Sequence, residues 1–217
     1  MRNSPFQHRF FHAPSRAAAA FFGVAILIAT AFATALASAD SPASQPAADG
    51  PRDTFKAFFL AIAQGHSADI PSLCVATDHD SQVLVHDFQD LSAAIGSLRL
   101  AVATKFGLDA VDTVMPQLAS SDDIDAMTET IDGDHADLVG DNIGPAKMVR
   151  TDGKWKLDIT ALRQSPDLPS DPHAYFAALT REVKRTTDDV TAGRYDTAAI
   201  ATETLRARQE AIATTQP

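Results

Sequence analysis

The chain of 217 residues contains one cysteine, Cys74, so it cannot form an intramolecular disulfide and its stability must come from a packed core. It also contains none of the motifs G-x-G-x-x-G, P-loop, G-x-S-x-G or H-E-x-x-H, which mark nucleotide sites, common hydrolases and zinc peptidases. The absence of paired C-x-x-C motifs excludes zinc sites built from several thiolates. The sequence therefore predicts no cofactor and no metal ion.

Basic residues are also scarce, with 18 lysines and arginines against 28 aspartates and glutamates. Three of the arginines lie in residues 1–39, which contain no acid, so residues 40–217 carry a formal net charge of −13. A strongly acidic domain repels the phosphates of nucleic acids and of anionic membranes. We expect neither nucleic acid nor a lipid surface to be a partner of this domain.

Residues 1–39 have the pattern of a secretory signal peptide, in which three arginines precede an apolar run that ends at Ala37. Two overlapping A-x-A sites predict cleavage after Ala37 or Ala39. The alternative is an uncleaved membrane anchor, because about 20 apolar residues can span a bilayer. We expect an exported protein, in the periplasm or outside the cell, that contacts a membrane only if this segment is retained.

Four parts follow from composition and patterning: the signal peptide over residues 1–39, a linker rich in Pro, Ser and Ala over 40–50, an α+β domain over 51–163, and a linker with a C-terminal helical hairpin over 164–217. The linker over 40–50 contains no large apolar side chain that a core could bury.

Helical spacing of apolar residues dominates the first half of the domain. A helix capped by Asp53 or Thr54 is predicted to end at Gly65, and a short helix is predicted over 67–75. A long helix is predicted from Asp80 to Phe106 because its apolar residues recur at steps of three and four. These residues are Leu84, Phe88, Leu91, Ile95, Leu98, Val102 and Phe106. A further short helix is predicted over 108–118.

Alternating patterns follow and predict about four antiparallel strands, over residues 124–131, 135–139, 145–150 and 154–159. Asp132-Gly133 and Asp152-Gly153 are predicted to form tight hairpin turns. The apolar face of such a sheet needs helices to cover it. The predicted fold class is therefore α+β, with an antiparallel sheet packed against helices around a long central helix.

The C-terminal segment predicts a helical hairpin. Asp171 is predicted to cap a first helix that begins with Pro172, and a second helix is predicted over 196–212. The charged residues of the first helix are interpreted as a solvated face with two ion pairs at i, i+4 spacing. These pairs are Lys184 with Asp188 and Arg185 with Asp189.

The densest group of potential metal ligands is Asp78-His79-Asp80 with His86. Seven residues of helix separate the two histidines by about 10.5 Å along the axis, too far to share one metal ion. Acids that cap a helix start explain Asp78 and Asp80 as well.

Three stretches carry a family resemblance: residues 54–70, with an amphipathic opening helix, residues 131–139 and residues 149–158, which contain Asp152-Gly153 followed by Trp155-Lys156. Together they resemble the nuclear transport factor 2-like (SnoaL-like) superfamily. The resemblance implies a curved antiparallel sheet that wraps around helices to form a cone. It also spans enzymes, such as ketosteroid isomerase-like proteins, and many binding or dimerisation modules, so fold alone does not select a function. No tyrosine lies between Asp40 and Tyr175, so the tyrosine oxyanion donor of the isomerase-like members has no counterpart here.

Three functions remain open on the sequence. The first is a non-enzymatic module that binds a small apolar ligand or a protein partner between sheet and helices, with Trp155, Phe59 and Met148 as candidate ligand contacts. For Trp155 the alternative is a core anchor. The second is an isomerase- or hydro-lyase-like enzyme in which His135, Asp134 or Asp137 is the general base. The third is a structural protein that forms a homo-oligomer through its long helix and hairpin.

Overall fold

The computed structural model describes residues 50–114, 121–141, 143–166 and 168–215. The predicted signal peptide, the linker up to residue 49 and the end of the helix predicted over 108–118 lie outside these ranges. No helix in the described ranges is long and apolar enough to cross a membrane.

The described residues form eight helices and five strands. The helices are α1 (Pro51–Gln64), α2 (Ile70–Leu73), α3 (His79–Phe106), α4 (Val111–Val114), α5 (Ser121–Asp125), α6 (Ile159–Arg163), α7 (Pro172–Thr191) and α8 (Ala198–Thr215). The strands are β1 (Cys74–Val75), β2 (Thr128–Asp132), β3 (His135–Val139), β4 (Ala146–Thr151) and β5 (Lys154–Asp158). A 3-10 turn covers Leu108–Ala110.

The fold class α+β is confirmed, and the sheet has one strand more than predicted. Its order is β1-β5-β4-β3-β2, in which β2 to β5 form the predicted antiparallel meander. β1 adds a parallel edge, with Cys74 opposite Leu157. The prediction of a purely antiparallel sheet was wrong because a two-residue strand is too short to show alternation, and Cys74-Val75 was assigned to the preceding helix.

Among the described residues helices cover one face of the sheet, and the predicted cone of about four antiparallel strands was partly wrong because the sheet has five strands and is mixed. The inner face packs mainly on α1, and α1 packs in turn on α3, α3 on α7 and α7 on α8. Buried side chains of the inner face include Ala136, Leu138, Met148, Trp155 and Leu157. The side chains of the opposite face, which alternate with these, are exposed or half-buried.

The long helix is confirmed over His79–Phe106, and its apolar stripe is buried as predicted except at Phe106, which is half-buried. Two other boundaries differ from prediction. Gly50 caps α1 in place of Asp53 or Thr54, because Pro51 fills the first helical position and supplies the helical φ. Residues 121–125 are helical, so β2 begins only at Thr128.

Gly65 ends α1 as predicted, with φ 81°, and it also permits a close contact between α1 and α3. A Cβ at this position would lie 2.4 Å from the Cα of Gly96 in α3. Ser92 Oγ donates a hydrogen bond to the carbonyl oxygen of Ala61 at 2.9 Å beside this contact. The close approach places α3 directly over the end of α1 and leaves the opposite side of α3 for α7.

Edge-to-face aromatic contacts connect the helical layers. Phe58 of α1 lies 5.2 Å from Phe88 of α3, which lies 4.8 Å from Phe176 of α7, measured between ring centroids. The C-terminal hairpin therefore packs on the domain, since buried residues of α7 and α8 belong to the same core as the sheet.

Candidate functional site

The acids and the histidine predicted as general bases are surface residues in the part of the chain that the structure describes. Asp134, His135 and Asp137 are all exposed, at the β2–β3 turn and on the uncovered face of the sheet. Asp137 makes a cross-strand ion pair, with its Oδ1 3.3 Å from Lys147 Nζ. An exposed carboxylate in an ion pair has the properties of a surface group.

The residues predicted as ligand contacts lie in or against the core. Met148 is 1% exposed and Trp155 is 8% exposed on the inner face of the sheet. Phe59 is half-buried and packs edge-to-face on Phe55 and Phe58, with ring centroids 4.9 Å and 5.7 Å away. Trp155 is a core anchor whose ring lies 5.9 Å from the Arg150 guanidinium carbon.

One open depression among the described residues is a groove between α3 and α7, with a volume of about 490 Å³. We call it the α3–α7 groove. It is lined by Asp87, Asp90, His173, Ala177, Thr180, Arg181, Lys184, Arg185 and Asp188. The concavity is therefore two helical layers away from the sheet, on a surface that the family resemblance does not point to.

A carboxylate and an imidazole meet at one end of this groove. Asp87 is 8% exposed because it lies between Leu84 and Leu91 on the buried side of α3. His173 Nδ1 is 2.8 Å from Asp87 Oδ2 and 3.0 Å from Oδ1, although its side chain is 65% exposed. Nδ1 has one proton to donate, which the two oxygens share, and no other donor to this carboxylate is found among the described residues.

The start of α7 fixes the position of His173. Asp171 caps the helix by accepting a hydrogen bond from the backbone N–H of Ala174 at 2.9 Å, and Pro172 occupies the first helical position, as predicted. His173 follows directly and is therefore held in the first turn. Its imidazole is directed toward Asp87, 86 residues earlier in the chain.

The Asp87 carboxylate favours the charged form of this histidine. The hydrogen bond to Asp87, followed by the negative charge of that carboxylate, raises the pKa of His173 above its ordinary value of 6.5. This effect prevails over partial desolvation, which acts in the opposite direction.

The α3 wall of the groove carries two acids, and the α7 wall carries three permanent cations and one acid. Asp90 of α3 is exposed beside Asp87, while Arg181, Lys184 and Arg185 are exposed on α7 together with Asp188. Lys184, Asp90 and Asp188 make no ion pair within the described ranges, so the predicted Lys184–Asp188 pair is not formed. Thr180, 7% exposed, has a buried hydroxyl without a hydrogen-bond partner among the described residues.

The other end of α7 holds a second carboxylate in a very different setting, which we call the Asp189 cluster. Asp189 is 4% exposed and accepts hydrogen bonds from Arg194 Nη1, from Arg208 Nη2 at 2.8 Å and from Tyr195 Oη at 3.0 Å. The hydrogen bond from Arg208 is the main cause that lowers the pKa of Asp189 to about 2. The predicted Arg185–Asp189 pair was wrong, because Asp189 faces α8 and Arg185 pairs with Glu182 at 3.7 Å.

A second depression of about 260 Å³ lies beside β1 and the start of α3 and includes Cys74. Burial raises the pKa of the Cys74 thiol to about 12, so it is not a thiolate nucleophile at neutral pH. His86 Nδ1 lies 3.1 Å from Gln89 Oε1. The described residues hold no group of three or more potential metal ligands.

The capping interpretation of Asp78 is confirmed. Its Oδ1 accepts a hydrogen bond from the backbone N–H of Ser81 at 2.9 Å, and its Oδ2 accepts one from the Ser81 hydroxyl at 2.9 Å. The backbone hydrogen bond is the main cause that lowers the pKa of Asp78. Asp78 is thus the N-cap of α3, and Asp80 lies 3.5 Å from Arg163 Nη1 through its Oδ2.

Comparison of the chain with protein-family models, with curated proteins and with solved structures gives no significant match. Membership of the nuclear transport factor 2-like superfamily therefore stays a prediction.

Sequence reasoning missed the groove residues for two different reasons. Asp87 had a detectable signal, since it is three residues after Leu84 and four before Leu91 and so falls on the buried side of the helix. His173 had none, because it is adjacent to Asp87 only through the packing of α7 on α3.

Proposed function

We propose that the protein is an exported, non-enzymatic binding module whose ligand docks in the α3–α7 groove. The observation that carries this proposal is the setting of Asp87, a carboxylate that is 8% exposed, has one donor among the described residues and lines an open depression. A buried carboxylate is stable only with compensating hydrogen bonds or charge. A docked ligand supplies the compensation that the chain leaves incomplete.

The filled interior of the domain supports this location. The side chains between sheet and α1 form one continuous core, and the positions predicted to contact a ligand, Met148 and Trp155, are part of it. A small apolar ligand between sheet and helices would have to displace these side chains. Docking in the groove requires no such displacement, because the depression is open.

Saturation-transfer NMR on the purified protein tests the proposal. The probe is a defined mixture of nucleotides, sugars, fatty acids, amino acids and short peptides. The matched variants are Ala177→Trp, which fills the groove from an exposed position, and Ala207→Trp, an exposed position on α8 outside the groove. We expect saturation of at least one component with the native protein and with Ala207→Trp, and its loss with Ala177→Trp. No saturated component, or equal signals from both variants, would refute the groove as the binding site.

A second candidate function is general acid–base catalysis, and the Asp87–His173 pair favours it. A carboxylate that accepts from Nδ1–H orients the imidazole and leaves Nε2 to exchange a proton with a substrate. His173 and Asp87 thereby replace His135, Asp134 and Asp137 as candidates for this chemistry. The same NMR mixture separates the two functions, because a component that is converted to product with native protein but not with His173→Asn indicates an enzyme.

A further inference from the structure

We infer that the ligand of the α3–α7 groove is a zwitterion that carries an ammonium and a carboxylate, as free amino acids and short peptides do. This inference rests on the proposed function and specifies its ligand class. It follows from which polar groups the groove leaves without partners and from the side on which each of them lies.

The α3 wall presents the acceptor side. Asp87 has two carboxylate oxygens and one donor among the described residues, His173 Nδ1. Asp90 is exposed beside it and makes no ion pair within the described ranges. An ammonium has three N–H donors and a positive charge, which match the unused lone pairs of these two carboxylates.

The α7 wall presents the donor side. Lys184 is exposed in the groove and makes no ion pair within the described ranges. Arg181 pairs with Glu182, with its Nε 3.6 Å from Glu182 Oε1. A carboxylate accepts from ammonium and guanidinium donors alike, so one ligand carboxylate can pair with Lys184 or Arg181 on this wall.

The groove carries charges of both signs. Three aspartates and three permanent cations line it, so neither a purely anionic nor a purely cationic molecule is matched along its length. A molecule that bears both an ammonium and a carboxylate can pair with groups of both signs. The volume of about 490 Å³ accommodates a free amino acid or a short peptide.

Amide-resolved NMR titration of the purified protein tests the inference. The probes are triglycine, N-acetyl-triglycine, triglycine amide and free leucine. We expect triglycine or leucine to shift backbone signals of residues 87–91 and 177–184. Blocking either terminus of triglycine should weaken binding about tenfold, since one charge-assisted contact is lost. The ratio of triglycine to leucine affinity shows whether peptides or free amino acids are the better source of this chemistry.

Charge-matched variants separate the groove from unspecific electrostatics. Asp90→Asn and Lys184→Gln should each weaken binding several-fold, whereas Asp152→Asn and Lys154→Gln, which make the same charge changes at the exposed β4–β5 turn, should leave it unchanged. Equal affinity for the blocked peptides, or no shift with any probe, would overturn the zwitterion class. If another component of the defined mixture bound the native protein and lost its signal with Ala177→Trp, the groove would remain the binding site and the zwitterion class would be wrong.

Discussion

A buried carboxylate lies at each end of α7, Asp87 of α3 beside its first turn and Asp189 in its last turn, and the two are satisfied to different extents. Asp189 is 4% exposed and accepts hydrogen bonds from three side chains, whereas Asp87 is 8% exposed and has the single donor His173 among the described residues. A fully satisfied carboxylate locks neighbouring elements together, and an incompletely satisfied one in an open groove remains able to bind. The same chemical group thus serves the fold at one end and a candidate site at the other.

The largest expected effect is at the Asp189 cluster. Asp189→Asn removes the charge that Arg208 and Arg194 face, and breaking a buried ion pair costs about 3 kcal/mol or more of unfolding free energy. Asp188→Asn is the matched control, because the neighbouring side chain is exposed and makes no ion pair in the described ranges, so a change within about 0.5 kcal/mol is expected. Urea unfolding of both variants measures the difference, and similar losses would contradict the assignment of Asp189 as the structural acid.

A smaller effect is expected at Tyr195, whose hydroxyl donates to Asp189 Oδ2 at 3.0 Å. Tyr195→Phe keeps the ring, which is 7% exposed, and removes one donor while two arginines remain. We expect a loss of about 1–2 kcal/mol in the same unfolding measurement. A loss as large as that of Asp189→Asn would mean that the hydroxyl, rather than the arginines, holds the cluster.

The two ends of α7 should also respond to pH in opposite directions. The pKa of Asp189 is lowered from 3.8 to about 2, so its stabilising contribution is present above pH 3.8 and is lost as the pH falls toward 2. The pKa of His173 is raised above 6.5, so the contribution of the Asp87–His173 pair is present below pH 6.5 and is lost as the pH rises through the pKa of the folded state. The melting temperatures of the native protein and of His173→Asn, measured from pH 5 to pH 9, should converge at the alkaline end. A difference in melting temperature that grows with pH would contradict a raised pKa for His173.

The smallest expected effect is a shift in the titration of His173 itself. Asp87→Asn removes the carboxylate that raises the pKa of His173, so the imidazole signal in proton NMR should titrate at a lower pH than in the native protein. Asp90→Asn is the control, since Asp90 lines the groove but makes no contact with the imidazole within hydrogen-bonding distance in the described ranges. An unchanged titration in Asp87→Asn would show that the pair is not formed in solution.

Much of the fold follows from local patterns. The stripe from Leu84 to Phe106 predicts α3 because residues three and four apart share a helix face, and Asp152-Gly153 predicts a hairpin because both residues adopt positive φ, 53° and 74°. Cys74-Val75 could not be predicted as a strand, since two residues show no alternation and their partner, β5, lies more than 80 residues later. The exposed positions of His135 and Asp137 likewise depend on which face of the sheet the helices cover.

The amino-acid sequence by itself determined the α+β class, the long helix, the antiparallel meander and the caps at Asp78 and Asp171, because each depends on residues within a few positions of one another. Only the tertiary structure decided which polar residues could have a function. The packing of α7 on α3 brings His173 to Asp87, and the packing of α8 on α7 brings Arg208 to Asp189. Both contacts join distant parts of the chain, and the energy of a buried charge depends on its surroundings rather than on its sequence neighbours.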